Sequence, residues 1–246
     1  IQMHRVLRVI ADKNGCSQFW FGRGAVDAQL TVCEMRDDSI HAEIKLSGRC
    51  FSYELKTRGS HFAFNALGAI AALQALGANV ELAVRDISLW KPIQGRGSHT
   101  FVPINCGKIE LIDDAYNANP ESMAAALKVL AICKGERRIA ILGDMKELGP
   151  SAEDMHADLA DLEVFNEIDI IHLVGPLMRA LYSKLPEKRR GIHVNSASEM
   201  VKISSDILKS GDTVLVKASL GTGLGEVVKS ILQLRYSQGV SIKKET

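Results

Sequence analysis

The chain has 246 residues, 46% hydrophobic and 24% charged, the balance of a globular protein with a sizeable core rather than a disordered or fibrous one. Thirty Lys and Arg stand against 29 Asp and Glu, a net charge of +1 that gives no electrostatic ground for a nucleic-acid partner. No apolar run approaches the ~20 residues of a membrane-spanning helix, so no membrane insertion is expected. The start Ile1-Gln2-Met3-His4-Arg5 has no signal-peptide layout and no initiator Met, which reads as an internal piece of a longer chain. Five widely spaced Cys (16, 33, 50, 106, 133) form no C-x-x-C pair, which argues for a reducing cytoplasm and against a disulfide framework or a zinc site.

In chain order, a short helical pattern at 4–14 ends at Asn14-Gly15. Short strand-like runs follow at 17–22, 29–35, 41–46 and 50–55, separated by turn signals too short for crossover helices, so antiparallel pairing is expected. A helix with an Ala-rich face is expected over 61–76, stopped by Gly77, and another over 80–90 before Lys91-Pro92. The stretch 94–103, rich in Gly, Ser and Pro, reads as a linker and hinge between two parts, 1–102 and 103–246. From there strands alternate with helices: 108–112 and 120–133, 138–142 and 152–164, 168–174 and 176–185, 191–194 and 197–208, 213–217 and 226–234. Five such units predict a parallel, doubly wound sheet. The tail from 237 is expected to fray.

Ligands collect beyond the carboxyl ends of strands in such sheets, and three loops there are more polar than packing requires. They are Asp113-Asp114-Ala115-Tyr116-Asn117-Ala118-Asn119-Pro120, Gly143-Asp144-Met145-Lys146-Glu147-Leu148-Gly149, and the glycine-rich run 217–225. Glycines ahead of a helix can offer backbone N–H groups to an anion, although an ordinary turn explains them equally. Adjacent Asp113 and Asp114 repel unless a cation or ligand relieves them. Asn119 before Pro120 is a natural helix cap. Lys217, closing a buried strand, needs Asp113, Asp114 or an anionic ligand as partner. Lys217 and Asp144 are the candidate catalytic residues.

The run 113–123 (Asp-Asp-Ala-Tyr-Asn-Ala-Asn-Pro-Glu-Ser-Met) resembles the signature that opens the C-terminal domain of Mur ligases. Further matches fall in the family's order: Ser60-His61 through Asn65-Ala66-Leu67, Gly95-Arg96-Gly97, 142–149 and 214–219. The Leu-Gly-Asp-Met-x-Glu-Leu-Gly stretch with His156 soon after points to the branch that adds D-alanyl-D-alanine. The resemblance implies an α/β chain: a partial Mur-ligase central domain of antiparallel strands plus helices over 1–102, then a doubly wound Rossmann-like C-terminal domain over 103–246. It implies ATP-driven amide formation, in which the terminal carboxylate of UDP-N-acetylmuramoyl tripeptide becomes an acyl phosphate that the amine of D-alanyl-D-alanine attacks. Asn65, Arg96, Asp113, Tyr116, Asn117 and Asn119 would hold the nucleotide in a cytoplasmic, monomeric enzyme. The family's G-x-x-G-K-[ST] phosphate loop is not in the sequence. The Mg²⁺ and phosphate sites would lie mostly outside this chain, which alone is expected to be inactive and is assigned no metal ligands. Phe62 replaces a usual Asn, Ala218 a usual Gly and Leu220 a frequent Arg. A sister Mur ligase or a folylpolyglutamate-type ligase is the enzymatic alternative. A noncatalytic phosphate-binding or receiver-like module, with Asp113, Asp114, Asp144 and Lys217 as its site, is the other.

Overall fold

Alternation of apolar and polar side chains over β3 (Ile40–Leu46) buries Ile40, Ala42, Ile44 and Leu46 on one face and turns His41, Glu43 and Lys45 to the other. That strand lies inside a first sheet, ordered β1-β2-β3-β4, with β1 (Phe21–Gly22), β2 (Ala28–Met35) and β4 (Arg49–Leu55). The computed structural model describes residues 2–36, 38–104 and 106–237. They divide into two compact units, Ile1–Lys91 and Pro92–Thr246.

In the first unit, α1 (Gln2–Lys13) precedes the sheet, and α2 (Ser60–Ala75) and α3 (Val80–Ile87) follow it. Ala63, Ala66, Leu67, Ile70 and Ala71 of α2 are buried in one cluster with the apolar faces of β2, β3 and β4. The small Ala side chains let helix and sheet approach closely. Strands β2, β3 and β4 are antiparallel as expected, but β1 joins β2 in parallel. The pairing spans only two residues, so 23–27 can loop back without a crossover; Asp27 Oδ2 accepts the Trp20 N–H at 2.7 Å and ties that loop.

The second unit holds six strands: β5 (Ser98–Ile104), β6 (Gly107–Asp114), β7 (Arg137–Gly143), β8 (Ile170–Val174), β9 (Arg190–Val194) and β10 (Asp212–Lys217). Their order is β5-β6-β10-β7-β8-β9, the last five parallel and β5 antiparallel at the edge. Helices α4 (Pro120–Ala131) and α6 (Met178–Lys184) belong to one apolar cluster. Helices α7 (Ala197–Ile207) and α8 (Gly225–Ser237) belong to the other, on the opposite sheet face. This is the doubly wound sheet that the five strand–helix units imply, and the chain is an α/β protein.

Two expectations need correction. The presumed linker at 94–103 contains an edge strand, since Ser98 pairs with Asp113 and Ile104 with Gly107. The units therefore part between Lys91 and Pro92 rather than at 102/103. Edge strands tolerate Pro103 because one side of their ladder is open. The helix expected over 152–164 is short: α5 (Ala152–Ala157) gives way to 3₁₀ turns at Asp158–Asp161 and Glu163–Glu167. The three-residue period of those turns turns Leu159, Leu162 and Phe165 toward one cluster. The frayed-tail expectation lies, from 238 on, outside the described residues. No described helix is long and apolar enough to cross a membrane.

Candidate functional site

Strand β10 is flanked by β6 and β7, yet the helix after β10 packs on the other face from the helix after β6. Such a reversal opens a crevice beyond the strands' carboxyl ends. The three polar loops leave these three strands and meet there.

Lys217, at the end of β10, is 2% exposed. Its ammonium donates to Asp114 Oδ2 at 2.7 Å and to the Asn117 carbonyl at 2.8 Å. Burial of an unpaired ammonium would be costly, so the pair answers the expectation that Lys217 needs an acid. Burial pushes the Asp114 carboxyl above its ordinary range; Lys217 pulls it down, the neighbouring Asp113 raises it and Arg96 lowers it. Asp113 is also buried. Its Oδ2 accepts the Gly95 N–H at 2.9 Å, its Oδ1 the Ala115 N–H at 3.3 Å, and its carbonyl the Gly97 N–H at 2.8 Å. Burial raises its carboxyl too, and the two backbone donors oppose that rise.

These bonds fold 95–97 onto the loop after β6. Gly95 has φ +78°, and a Cβ there would lie 3.1 Å from Tyr116 Cβ, so a side chain would be strained and crowded. Arg96 then sits with its guanidinium carbon 4.2 Å from the centroid of the Tyr116 ring. Both side chains are exposed. Asn117 is exposed and its Oδ1 accepts the Ala118 N–H. Asn119 caps α4 as expected: its Oδ1 accepts the Ser122 N–H at 2.8 Å while Ser122 Oγ accepts the Asn119 N–H at 3.0 Å.

The second loop is tied inward. Asp144 is 1% exposed; its Oδ1 accepts the Met178 N–H of α6 at 3.0 Å and its Oδ2 pairs with Lys146 at 3.1 Å. Gly175 leaves the room this carboxylate fills. Buried His156 accepts the Met145 N–H at Nε2 and donates from Nδ1 to the Ala152 carbonyl, which requires the neutral Nδ1–H tautomer. Ser219 joins all three loops. Its N–H donates to the Asp144 carbonyl, its Oγ accepts the Lys146 N–H, and its hydroxyl donates to the Ala118 carbonyl.

Of the candidate residues, Asp113 and Lys217 lie at strand ends of the second unit, and Arg96, Tyr116, Asn117, Asn119 and Asp144 on its loops. Asn65 belongs to the first unit, exposed on α2. The charged atoms of Asp113, Asp114, Asp144 and Lys217 are engaged by the protein itself. Arg96 and Tyr116 are exposed, a cation–aromatic pair suited to stacking a base and pairing a phosphate. Among the described residues no group of three or more His, Cys, Asp or Glu is placed to hold a metal ion. The departures from the expected pattern have local consequences. Phe62 packs between His61 and Trp90 at ring distances of 4.1 and 5.2 Å. Ala218 is buried against Gly143, where an added Cβ would lie 2.8 Å from its own, and Leu220 is exposed.

A doubly wound sheet with polar loops gathered at its switch point defines an α/β class that takes ligands at the carboxyl ends of its strands. The family described as "Mur ligase, glutamate ligase domain" matches residues 100–220, and this stretch of the chain is a domain of that family. A UDP-N-acetylmuramoyl-tripeptide–D-alanyl-D-alanine ligase of Bacillus subtilis is 30% identical over 223 residues, covering 89% of this chain and 48% of the relative. The protein of that name from Rickettsia prowazekii is 25% identical over 229 residues, 92% of this chain and 49% of the relative. A crystal structure of MurF from Acinetobacter baumannii superposes with a TM-score of 0.75 at 25% identity, covering 92% of this chain and 49% of that one. The ADP complex of a Thermotoga maritima MurF shares the fold, with a TM-score of 0.73 at 21% identity over 93% of this chain and 52% of that one. The chain thus spans about half the length of the relatives it matches.

Proposed function

We propose that this chain supplies the second half of an ATP-dependent amide ligase that joins D-alanyl-D-alanine to UDP-N-acetylmuramoyl tripeptide in the cytoplasm. The observation that carries the reading is the convergence of the 113–119, 143–149 and 217–225 loops at the switch point of the sheet. It gains support from relatives of that name that match 89% and 92% of the chain.

In this reading the tripeptide carboxylate attacks the γ-phosphorus of ATP and ADP leaves. The dipeptide amine then attacks the acyl carbon, loses a proton, and inorganic phosphate departs. Such chemistry rests on positioning and on cations that meet phosphate charge. Arg96 supplies a guanidinium, and the Tyr116 face supplies a stacking surface for a nucleobase or ribose. Asp113 sets the loop geometry through its two backbone donors and offers its remaining lone pairs to ribose hydroxyls. Asn117 and Asn119 complete the nucleotide contacts that the second unit offers, although the side-chain carbonyl oxygen of Asn119 is already used by the α4 cap. ATP is a substrate here.

The test is phosphate release in the full-length ligase this reading requires. Release should depend on both UDP-N-acetylmuramoyl tripeptide and D-alanyl-D-alanine. Asp113→Ala should weaken ATP binding by roughly 1–3 kcal/mol, the cost of lost charge-assisted hydrogen bonds. The present chain, which has no G-x-x-G-K-[ST] loop, should release none. Turnover by this chain alone, or release indifferent to the dipeptide, would overturn the reading.

A further inference from the structure

Three charges at the carboxyl ends of β6 and β10 compete for one another. Asp114 has a side chain 22% exposed and two cations in reach of its field, Lys217 and Arg96. Lys217 holds it directly at 2.7 Å, and holds the following loop through the Asn117 carbonyl at 2.8 Å. Arg96 instead lies over the Tyr116 ring at 4.2 Å. A guanidinium prefers a partly buried carboxylate to an aromatic face, because charge-assisted, bidentate bonds exceed a surface cation–π contact. Something must therefore keep Arg96 off Asp114.

We infer that Lys217 is a positioning residue: by occupying Asp114 and clamping the Asn117 carbonyl, it keeps Arg96 stacked on Tyr116 and available to an incoming anion. Neither catalytic contact nor proton transfer by Lys217 is required. Its burial suits this task, since a 2% exposed ammonium is shielded from solvent and fixed in one place. The backbone cooperates. Gly95 donates to Asp113, and Tyr116 N–H donates to the Gly95 carbonyl at 3.1 Å, so the backbone ties the Arg96 segment to the Tyr116 loop. With Lys217 neutralised, Asp114 would lose its ion pair, and Arg96, whose field already acts on that carboxyl, is a cation able to answer it. The value of this posture for ATP rests on the proposed ligase reading, but the posture itself does not.

The experiment needs no nucleotide. In the intact chain, the ring current of Tyr116 should move the δ-methylene and Nε–H resonances of Arg96 upfield, and Tyr116→Leu gives the unshifted reference. Lys217→Met should abolish the upfield displacement while buried methyl resonances of the second unit stay in place. Lys217→Arg, which keeps the charge, should retain it. Removing both charges with Lys217→Met and Asp114→Asn together should restore it, because nothing then draws Arg96 away; a merely structural lysine predicts no such rescue. If Lys217→Met does not fold, Lys217→Gln repeats the test with a neutral polar side chain. An Arg96 shift unchanged in the folded neutral variant, or lost in the double variant as in the single, would overturn the inference. Because ATP is absent throughout, failure here leaves the ligase reading to its own assay.

Discussion

His172 on β8 is 4% exposed, with Nδ1 accepting the Ile192 N–H at 3.1 Å and Nε2 buried without a hydrogen-bond partner among the described residues. Burial, helped by Arg137, lowers its pKa from 6.5 to about 4. For a depressed base the folded state favours the neutral ring, so its contribution to stability is full above pH 6.5. It is lost as pH falls through about 4. The shift corresponds to about 3 kcal/mol. His172→Gln keeps an acceptor for Ile192 but cannot titrate. Urea unfolding at pH 7.5 and pH 4 should show a smaller acid-induced loss in this variant than in wild type; equal losses would place the acid sensitivity elsewhere. Gly175 makes a second residue-scale case. It has φ +111°, and an added Cβ would collide with the Asp144 carboxylate. Gly175→Ala should therefore cost more than about 1 kcal/mol and move the Met178 amide resonance, whose acceptor is Asp144 Oδ1. An alanine variant as stable as wild type would mean that the carboxylate has room to shift.

At the scale of elements, the sequence was legible where one period ran uninterrupted. Strands β6, β7 and β10 are short apolar runs closed by polar residues, β8 is one closed by Gly175-Pro176, and Asn119-Pro120 announces the start of α4. Strand β5 was hidden although Thr100, Val102 and Ile104 alternate as a strand requires, because Gly95, Gly97 and Pro103 outweighed them. The 3₁₀ turns at 158–167 were hidden because Leu159, Leu162 and Phe165 also fit a helical stripe. In the site, Asp113, Asp114, Tyr116, Lys217 and the Asn119 cap stood out as polar groups at the ends of buried elements. His156 and Ser219 stood out only as parts of a motif, and their tying roles did not, because their partners are set by the fold: Ser219 Oγ meets Lys146 N–H across 73 positions and the Ala118 carbonyl across 101. That role is testable. Ser219→Ala leaves a buried donor and acceptor unpaired and should cost about 1–3 kcal/mol. Amide exchange at Lys146 should speed up more than exchange in the core of β10. Unaltered Lys146 protection would show that the hydroxyl does not tie the loops.

The whole molecule consists of two units with separate cores. The first core is built from α2, α3 and β2 to β4, the second from two clusters on either face of the six-stranded sheet. A unit with its own core can fold alone, so residues 92–246 should unfold in one cooperative urea transition when expressed without the rest. The edge strand sharpens this expectation. Val102 and Ile104 of β5 are 1% and 9% exposed, and Gly95 supplies one of the two backbone donors to the Asp113 carboxylate. A chain starting at residue 103 keeps Ile104 but loses Val102, most of the β5–β6 ladder and the Gly95 bond. Burying one Val contributes about 1.5–3 kcal/mol, and leaving a buried carboxylate oxygen without its donor costs about 1–3 kcal/mol. The 103–246 chain should thus be at least about 2.5 kcal/mol less stable than the 92–246 chain. It should also lose the Arg96–Tyr116 pair altogether, since Arg96 is removed. Equal urea midpoints and slopes for the two truncations would mean that β5 adds nothing to the second core and that the boundary belongs at 103 after all.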